Sequence, residues 1–430
     1  MMKFNFYHET NFKQTEIGLL PQEWEVVKLG EVVNESKAKN KNNEKFNVYS
    51  VSNIRGFVLS NEFFEKQVYS KNLQNYKIVE ENYFAYNPAR VNVGSIALFS
   101  EKEKGLVSPM YIVFKIVEKE KLNHHYLFKI LKSEKYINEI KRISKSRGSV
   151  RQILAFVDLC EILIPLPPLP EQQAIAEVLS IIQQAKEKTE AVIKATREIK
   201  KSMMKHLFTY GNVPLSDVDR VKLKETEIGS IPEHWQVVRL GEVSEIKSGG
   251  TPSKKEETYW VNGKIPWIRS EKCQDCFIYN TKEFITEEGL SNSSAKIFEK
   301  GTVLIAMVGA TIGKTGYLMF PATTNQNVAG LKPNNTQILS SLYLFYYLQN
   351  RYNDFAKEGG YKIANLSFIK SFLIPLPPLS EQQAIADILQ AIDEKIQKEE
   401  AKKKALENLF KSMLSNLMSG RIRVKIENKE

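Results

Sequence analysis

One segment occurs twice in the chain, and this repeat is the feature that most limits how the chain can fold. Residues 164–180 read IPLPPLPEQQAIAEVLS and residues 374–390 read IPLPPLSEQQAIADILQ, with 13 of 17 positions identical at an offset of 210. Self-similarity at a fixed period predicts repeated structural units. Further pairs at similar offsets are TEIGLLPQEWEVVKLGEV at Thr15 and TEIGSIPEHWQVVRLGEV at Thr226, KSMMKHLF at Lys201 and KSMLSNLM at Lys411, and YLFKIL at Tyr126 and YLFYYL at Tyr343.

The repeat divides the chain into two halves, about 15–225 and 226–430, each with an opening segment, a globular body, a proline-rich hinge and a long helix. The bodies align only in patches and differ far more than the segments that border them. Uniform drift after a duplication would have changed the borders too, so we interpret the chain as one scaffold that carries two different bodies. The expected domains are the first body at 1–163, the first hinge and long helix at 164–212, the second body at 213–373, and the second hinge, long helix and C-terminal tail at 374–430.

Each hinge is predicted to be extended and rigid, because proline fixes φ and pushes the preceding residue out of the helical region. A helix is expected to start directly after it. In the second copy, Ser380 and Gln383 predict a capping box at the helix start. Pro170 replaces the serine in the first copy and suits the first turn of a helix. A proline-rich ligand for an SH3-like domain is the alternative, and the immediate helix start argues against it.

Each hinge is followed by about 40 residues without proline or glycine and with heptad-like apolar spacing, which predicts two long helices of roughly 60 Å. Each helix needs a partner for its apolar stripe. If the halves are related by a pseudo-two-fold axis, the two helices pair with each other in antiparallel orientation; a coiled coil between two chains is the alternative. The expected seam positions are Ile175, Val178, Ile182, Ala185, Thr189, Val192, Thr196, Ile199, Met203 and Leu207 in the first helix, and Ile385, Leu389, Ile392, Ile396, Glu399, Lys403, Leu406, Phe410, Met413 and Leu417 in the second.

Composition restricts the partner and the compartment. The chain has 430 residues, 42% of them hydrophobic, so it can bury substantial cores. A net charge of +11 favours an anionic partner, usually nucleic acid and sometimes a membrane surface, although a solubilising surface charge is compatible with it too. The low, odd cysteine count, the lack of an apolar run of membrane-spanning length and the lack of a signal-peptide core predict a cytoplasmic protein.

Both bodies are predicted to be α+β. In the first body, FNVYSVSN and GSIALF have the β-branched and aromatic content of strands, and a helix is expected from about Tyr126 to Arg142. In the second body, IPWIRS, GTVLIAMVGAT and YLMF are expected strands, and a helix is expected from about Leu342 to Ala356.

Basic and amide side chains cluster at the turns between these strands. Arg or Lys recognises guanine and Asn or Gln recognises adenine in the DNA major groove, and loops on a rigid scaffold are where such side chains are found. Each residue taken alone is compatible with a solvated loop position, but together they predict a DNA interface. The candidates are Asn53, Arg55, Asn87, Arg90, Asn92, Arg147 and Arg151 in the first body, and Arg269, Lys314, Thr315, Asn325, Gln326, Asn327 and Lys362 in the second.

No catalytic constellation is recognisable in the sequence. GATIGKT at Gly309 is one residue shorter between its glycines than a phosphate-binding loop, so ATP binding is not expected. Cys273 and Cys276 form a lone CxxC without a second pair of ligands, and the five histidines lack ligand spacing, so no metal site is assigned. The chain is therefore expected to be a binding protein, with an enzyme that uses an unrecognised site as a rival interpretation.

These motifs resemble a known family. The doubled LPPL-x-EQQAIA before a long helix, the doubled TEIG opening segment and the C-terminal GRIRV are similar to the specificity (S) subunits of type I restriction-modification systems. NPARVNVGSIALF with LVSPMYIVFK resembles one subclass of that family's target recognition domain, and VGATIGKTG with NQNVAGLKP resembles another. The resemblance covers nearly the whole chain.

The resemblance implies two α+β target recognition domains separated by an intramolecular antiparallel coiled coil. Each domain would read one half of a bipartite, asymmetric double-stranded DNA site, and the helices would set the spacing and dock methyltransferase (M) subunits, with two M subunits expected. Restriction (R) subunits would join them, and S-adenosylmethionine, ATP and Mg would be bound by partner subunits, none by this chain. A coiled-coil scaffold that binds protein only is the alternative function. The expected partner contacts are Leu166, Leu169, Gln172, Gln173, Leu376, Leu379, Gln382 and Gln383.

Overall fold

The computed structural model forms two compact units, Met1–Thr189 with Lys402–Glu430, and Glu190–Ala401. Each unit therefore contains one body, the beginning or the end of the first long helix, and the opposite end of the second. Within the described part of the chain, no helix has the length and apolar character needed to cross a membrane. The structure describes residues 3–63, 70, 72–90, 94–145, 153–351, 354 and 365–427.

The first body is built on two four-stranded sheets. Its central strand Phe84–Tyr86 is buried at every position, as expected for a continuous apolar run covered on both faces. The first sheet has the order Gly56–Leu59, Asn47–Ser52, Gly105–Val107 and Lys77–Val79, and its middle pair is parallel. The second sheet has the order Ile96–Leu98, Phe84–Tyr86, Ile112–Ile116 and Val33–Glu35, and every pair is antiparallel.

The second body repeats this arrangement with one additional edge strand, Cys276–Ile278. Its four-stranded sheet has the order Glu283–Ile285, Ile265–Ile268, Ala322–Thr324 and Ile297–Phe298, again with a parallel middle pair. Its five-stranded sheet has the order Cys276–Ile278, Thr315–Leu318, Val303–Ala306, Val328–Pro333 and Ser244–Ser248. The two bodies, which align only in patches by sequence, thus have the same strand order. The expected strands in both bodies are confirmed.

The helices that follow the sheets are shorter than expected. The predicted helix 126–142 is two helices, His124–Leu131 and Glu134–Lys145, because the chain leaves the first helix at Lys132. The predicted helix 342–356 is Ser341–Gln349 in the structure, and most of 352–364 lies outside the described residues. Both first helices begin with a side-chain cap, since Asn123 and Ser340 each accept a hydrogen bond from the backbone three residues on.

The opening segments are β-hairpins whose turn is TEIG. Thr15 donates its hydroxyl to the carbonyl of Gly18 at 2.5 Å, and Thr226 donates to Gly229 at 2.6 Å. Both glycines have positive φ, of 111° and 104°, a conformation that glycine adopts without strain. The strands of the opening segments are Phe12–Thr15, Gly18–Pro21 and Glu25–Lys28 in the first unit, and Leu223–Thr226, Gly229–Pro232 and Gln236–Arg239 in the second.

The hinges are extended, as predicted, and each pairs with the last strand of its opening segment. Leu163–Leu166 pairs with Glu25–Lys28, and Leu373–Leu376 pairs with Gln236–Arg239. The predicted capping box at Ser380 is wrong, because the second long helix already begins at Leu379 and Ser380 lies inside its first turn.

At the start of each long helix, a proline carbonyl accepts a backbone hydrogen bond from the first turn instead. Pro168 accepts from the backbone N–H of Glu171, and Pro378 accepts from that of Glu381. Pro170 occupies the first turn of the first long helix, where its missing N–H costs no intrahelical bond, as expected.

The long helices are Leu169–Tyr210 and Leu379–Met418. In the first unit, Val178 near the start of one helix shares a hydrophobic core with Met413 and Leu417 near the end of the other. This arrangement confirms antiparallel pairing within the first unit.

The second unit shows the same orientation. Arg197 pairs with Glu400 at 2.5 Å, and Lys200, three residues later, pairs with Asp393 at 2.7 Å, so the numbering rises on one helix and falls on the other. The pairing inside one chain confirms the intramolecular coiled coil.

The seam of the first long helix differs from the predicted one at two positions. Thr189 and Thr196 are buried as expected, and their hydroxyls donate to the backbone carbonyls four residues earlier at 2.8 Å. Val192 and Ile199, however, are 40% and 54% exposed. Ile193, next to Val192, is buried instead. The strict seven-residue pattern places these two positions one residue away from the apolar stripe of a 3.6-residue helix.

The chain ends close the first unit. Strand Lys3–His8 pairs antiparallel with strand Ile422–Glu427 over six residue pairs. The other helices among the described residues are Leu29–Val32, Ser60–Phe63 and Phe156–Cys160 in the first unit, and Leu240–Val243, Glu287–Ser291 and Leu366–Ser371 in the second, with 3-10 turns at Leu215–Arg220, Glu257–Tyr259, Ser270–Lys272 and Gly309–Thr311.

Candidate nucleic-acid interface

Two loops of the first body lie against each other. One is the turn 53–55 that follows strand Asn47–Ser52, and the other joins strands Phe84–Tyr86 and Ile96–Leu98. They are so close that a Cβ added to Gly94 would lie 2.9 Å from Oδ1 of Asn53. The fold therefore brings together two of the predicted groups, the pair in the turn 53–55 and the residues around 87–90.

The side chains at these two turns differ in what they can offer to DNA. Arg55 and Arg90 are exposed, and the neighbouring Ile54 is 93% exposed. Asn87 instead uses its side-chain oxygen to accept the backbone N–H of Ala89 at 3.0 Å, which shapes its own turn. The predicted contacts Asn92, Arg147 and Arg151 lie outside the described residues.

The second body places Arg269 and Asn325 side by side. Each directly follows one strand of the parallel pair Ile265–Ile268 and Ala322–Thr324, and the backbone N–H of Asn325 donates to the carbonyl of Ile268 at 3.0 Å. The carboxyl ends of parallel strands open at the same edge of a sheet, so both side chains start from one edge. Gln326 follows and is exposed, and its side chain accepts from the Thr251 hydroxyl at 2.5 Å.

Arg269 and Asn325 each retain an unsatisfied buried polar atom. Arg269 stacks over the Trp267 ring at 5.6 Å and donates from Nη2 to Glu283, but its Nε has no partner among the described residues. Oδ1 of Asn325, a residue that is 9% exposed, likewise has none there. Buried polar groups are usually paired, so these two atoms mark polar groups at this edge that the described residues leave unsatisfied, while 40% of the Arg269 side chain is exposed.

The structure corrects part of the second group. Thr315 is fully buried, and both its backbone N–H and its hydroxyl donate to the Asp275 carboxylate, at 3.0 and 3.2 Å. Lys314 is one-third exposed and pairs with the same carboxylate. Thr315 therefore supports the loop instead of meeting DNA. Asn327 is half-buried and its carbonyl accepts from Met307, while Lys362 lies outside the described residues.

The CxxC motif is the turn that presents Asp275. Asp275 lies between the two cysteines with a φ of 57°, a left-handed conformation that Asp tolerates better than most residues. Burial raises the pKa of Cys273, and burial also raises that of Cys276, so neither thiol is poised as a thiolate. Within the described ranges, no cluster of three or more His, Cys, Asp or Glu residues could hold a metal ion.

The expected partner contacts at the hinges separate into buried and accessible residues. Gln172 is fully buried: it accepts from the backbone of Asn123 at 2.9 Å and donates to the carbonyls of Lys121 and Pro167 at 2.7 and 2.8 Å. Gln382 repeats this clamp, with Ser340, Ile338 and Pro377 as its partners. These two glutamines and the buried Leu166 serve the fold, which corrects their assignment to a partner. Gln173 and Gln383 are exposed, and Leu169, Leu376 and Leu379 are half-buried.

A second pair of repeated contacts was not predicted from the sequence. Trp24 donates its indole N–H to Glu171 at 3.1 Å, and Trp235 donates to Glu381 at 3.0 Å. Both the tryptophan and the glutamate recur at the repeat offset, and this recurrence was the sequence signal from which the contact could have been predicted.

Comparisons with known proteins agree with this architecture. Residues 21–196 and 232–408 each match the family model of the type I restriction modification DNA specificity domain. The chain therefore belongs to the type I restriction-modification DNA specificity family and contains its domain twice.

Relatives match over different lengths of the chain. The type I restriction enzyme MjaVIII specificity subunit of Methanocaldococcus jannaschii is 31% identical over 98% of both chains. The EcoR124I/EcoR124II specificity subunit of Escherichia coli is 29% identical over 56% of this chain and 58% of its own length. The crystal structure of a type I restriction-modification S subunit from M. genitalium shares the fold, with a TM-score of 0.59 and 17% identity over 95% of this chain and 97% of that one.

Proposed function

We propose that this chain is the DNA sequence-recognition subunit of a type I restriction-modification complex and that each body reads one half of a bipartite, asymmetric site. The observation that carries this proposal is the edge of the second body, where Arg269, with a side chain that is 40% exposed, and Asn325 each follow one strand of the parallel pair. Arg and Asn are the side chains that bind guanine and adenine edges with two hydrogen bonds. The presence of two specificity domains in one chain supports the bipartite site.

The mechanism is one of positioning. The surplus of positive charge supplies phosphate contacts that set the register on the duplex, and the loop side chains select the bases. The accessible candidates are Asn53, Arg55 and Arg90 in the first body, and Arg269 and Gln326 in the second, where Asn325 is 9% exposed. The long helices would fix the separation of the half-sites, for which one helical turn of DNA is about 34 Å.

The chemistry would belong to partner subunits. M subunits, two per chain, would bind at the hinges through Leu169, Leu376, Leu379, Gln173 and Gln383 and would bring S-adenosylmethionine. R subunits would bring ATP-dependent cleavage with Mg. The chain itself would be non-catalytic and would act in the cytoplasm, where the complex meets DNA. The names of the relatives support these partners, since each is the specificity subunit of a type I restriction enzyme.

An exchange of one body tests the proposal. Residues 33–154 would be replaced by the body of another specificity subunit. These boundaries leave Gly30 and Cys160 in place. The two residues pack so closely that a Cβ added to Gly30 would lie 2.7 Å from Cβ of Cys160. Methylation mapping with M subunits present should show one half of the site changed and the other half retained. Four residues inserted into the first long helix should change the gap alone.

The outcomes separate the rival functions. A change in both halves after a single exchange would contradict modular recognition. A protein-only scaffold would show no salt-dependent binding of DNA in the presence of M subunits. Methyl transfer by the chain alone would support an enzyme with an unrecognised site.

A further inference from the structure

Two residues at the C-terminal ends of equivalent helices, one in each body, occupy equivalent positions. The YLF motifs at Tyr126 and Tyr343 begin equivalent helices, and the same offset of 217 relates Lys132 to Gln349. Lys132 directly follows the helix of the first body and Gln349 ends that of the second. Each contacts the loop that follows the equivalent strand, Asn47–Ser52 in one body and Ile265–Ile268 in the other.

Lys132 joins two loops of the first body. Its ammonium donates to the carbonyl of Asn53 at 2.7 Å, to Oδ1 of Asn53 at 3.2 Å and to the carbonyl of Gly94 at 2.8 Å. Asn53 belongs to the turn that carries Arg55, and Gly94 belongs to the loop that carries Arg90. One half-buried side chain thus fixes both loops against the helix end. Burial lowers the pKa of Lys132, and three acceptors satisfy its three N–H donors.

Gln349 makes the corresponding junction through a second residue. Its side-chain NH2 donates to the carbonyl of Asp275 at 3.4 Å, and its side-chain oxygen accepts from Lys200 at 3.1 Å. The Asp275 carboxylate in turn accepts from the backbone and hydroxyl of Thr315 and pairs with Lys314. The loop after Ile265–Ile268 and the loop before Thr315–Leu318 are therefore held together, as in the first body.

We propose that Lys132 and Gln349 are positioning residues for sequence recognition. Lys132 fixes the turn that carries Arg55 to the loop that carries Arg90, and Gln349 fixes the loop that begins at Arg269 to the supporting loop before Thr315. This inference rests on the proposed function, because it assumes that these loops read DNA. Base recognition requires side chains that are held in place by their supporting residues. Loss of the junction should let the loops separate and so accept incorrect bases, while the sheets beneath them stay folded.

Two substitutions test this role in the full chain expressed with its M subunits. Lys132→Met and Gln349→Met keep a long side chain, one atom shorter than lysine and equal in length to glutamine, and remove the polar contacts. Lys129→Met is the matched control, since Lys129 is a half-buried lysine of the helix that Lys132 follows and burial lowers its pKa too, but its ammonium lies 5.9 Å from the centroid of the Phe410 ring. Methylation mapping would score each half-site separately, and thermal unfolding would verify that the variants are folded.

Lys132→Met should raise methylation at sites with a mismatch in one half by about tenfold, the scale of one lost base contact, and leave the other half strict. Gln349→Met should relax the opposite half, and Lys129→Met should relax neither. Lys132→Arg keeps the charge and the N–H donors, so it should discriminate between bases more strictly than Lys132→Met. It is the variant to use if Lys132→Met fails to fold.

Two results would overturn the inference: unchanged specificity in folded variants, or equal relaxation of both halves by either variant. A wild-type chain that directs methylation to no bipartite site would overturn the proposed function instead.

Discussion

The Arg423 guanidinium donates two hydrogen bonds to the Glu171 carboxylate, at 2.6 Å from Nε and 2.8 Å from Nη2. The two side chains are 5% and 6% exposed, and Trp24 donates to the same carboxylate. The opening segment, the start of the first long helix and the C-terminal strand of the first unit thus meet at one buried ion pair. Burial lowers the pKa of Arg423, but hydrogen bonds to Glu171, Glu23 and Glu9 outweigh it and raise that pKa overall.

Glu171→Gln should therefore destabilise the first unit by about 3 kcal/mol, since it leaves a buried guanidinium without its main counter-charge. Hydrogen exchange of strands Lys3–His8 and Ile422–Glu427 would report the loss. Glu381→Gln is the matched control, because Glu381 accepts from Trp235 and has a histidine, His234, rather than an arginine at its carboxylate. Equal effects of the two substitutions would contradict the importance of Arg423.

Acid should weaken the same region. The backbone N–H of Asn11, and after it Arg423, lower the pKa of Glu9 below its ordinary value of 4.5. The ionised Glu9 therefore stabilises the folded state above about pH 4.5, and this contribution is lost as the pH falls through the lowered pKa. Glu9→Gln should be less stable at pH 7 and should lose less stability between pH 4.5 and 3 than the wild type. Urea midpoints across this range would test it, and parallel curves would refute it.

The buried glutamine clamp should matter for stability and its neighbour should not. Gln172→Leu leaves the N–H of Asn123 and the carbonyls of Lys121 and Pro167 without their partner, each costing about 1–3 kcal/mol if water cannot reach it. Gln173→Leu changes an exposed side chain and should alter stability by less than about 0.5 kcal/mol. Urea unfolding would compare them. Gln173→Leu should weaken binding to M subunits if the hinge contact is correct.

The corrected seam predicts different costs for two isoleucines six residues apart. Ile193 is 7% exposed and Ile199 is 54% exposed. Ile193→Ala should cost about 2–4 kcal/mol of unfolding free energy, whereas Ile199→Ala should cost little. Thermal and urea unfolding would distinguish them. A larger loss of stability from Ile199→Ala than from Ile193→Ala would instead support the strict heptad register predicted from the sequence.

Arg269→Lys should separate base recognition from phosphate attraction. The substitution keeps the positive charge but removes the planar fork that binds guanine with two bonds. Discrimination at one half-site should fall by about 1–3 kcal/mol, with non-specific DNA affinity unchanged. Methylation mapping and salt-dependent binding to random DNA would measure the two effects. Arg220→Lys, at a side chain that is 83% exposed, is the control.

The repeat was sufficient to predict the large architecture, because the duplicated borders encode hinges and helix starts, which are local features. The hairpins of the opening segments were not predicted. The shared strand order of the bodies was not predictable in this way. It depends on long-range pairs such as Ile268 with Thr324 in the second body and Val48 with Leu106 in the first, which lie in segments that do not align. Composition also could not separate Thr315 from Gln326, since both are polar turn residues and only packing against Asp275 buries the first.

The two bodies differ in the length of one connection between strands, and this difference bears on how a new DNA sequence preference can arise. The connection after strand Asn47–Ser52 is a three-residue turn, whereas the connection after the equivalent strand Ile265–Ile268 runs from residue 269 to 282 and includes an added strand. Both sheets keep their order despite this difference. Insertions and deletions in this single connection therefore leave the scaffold intact while they reshape what it displays, so diversification can proceed by changing loop length as well as by exchanging individual side chains.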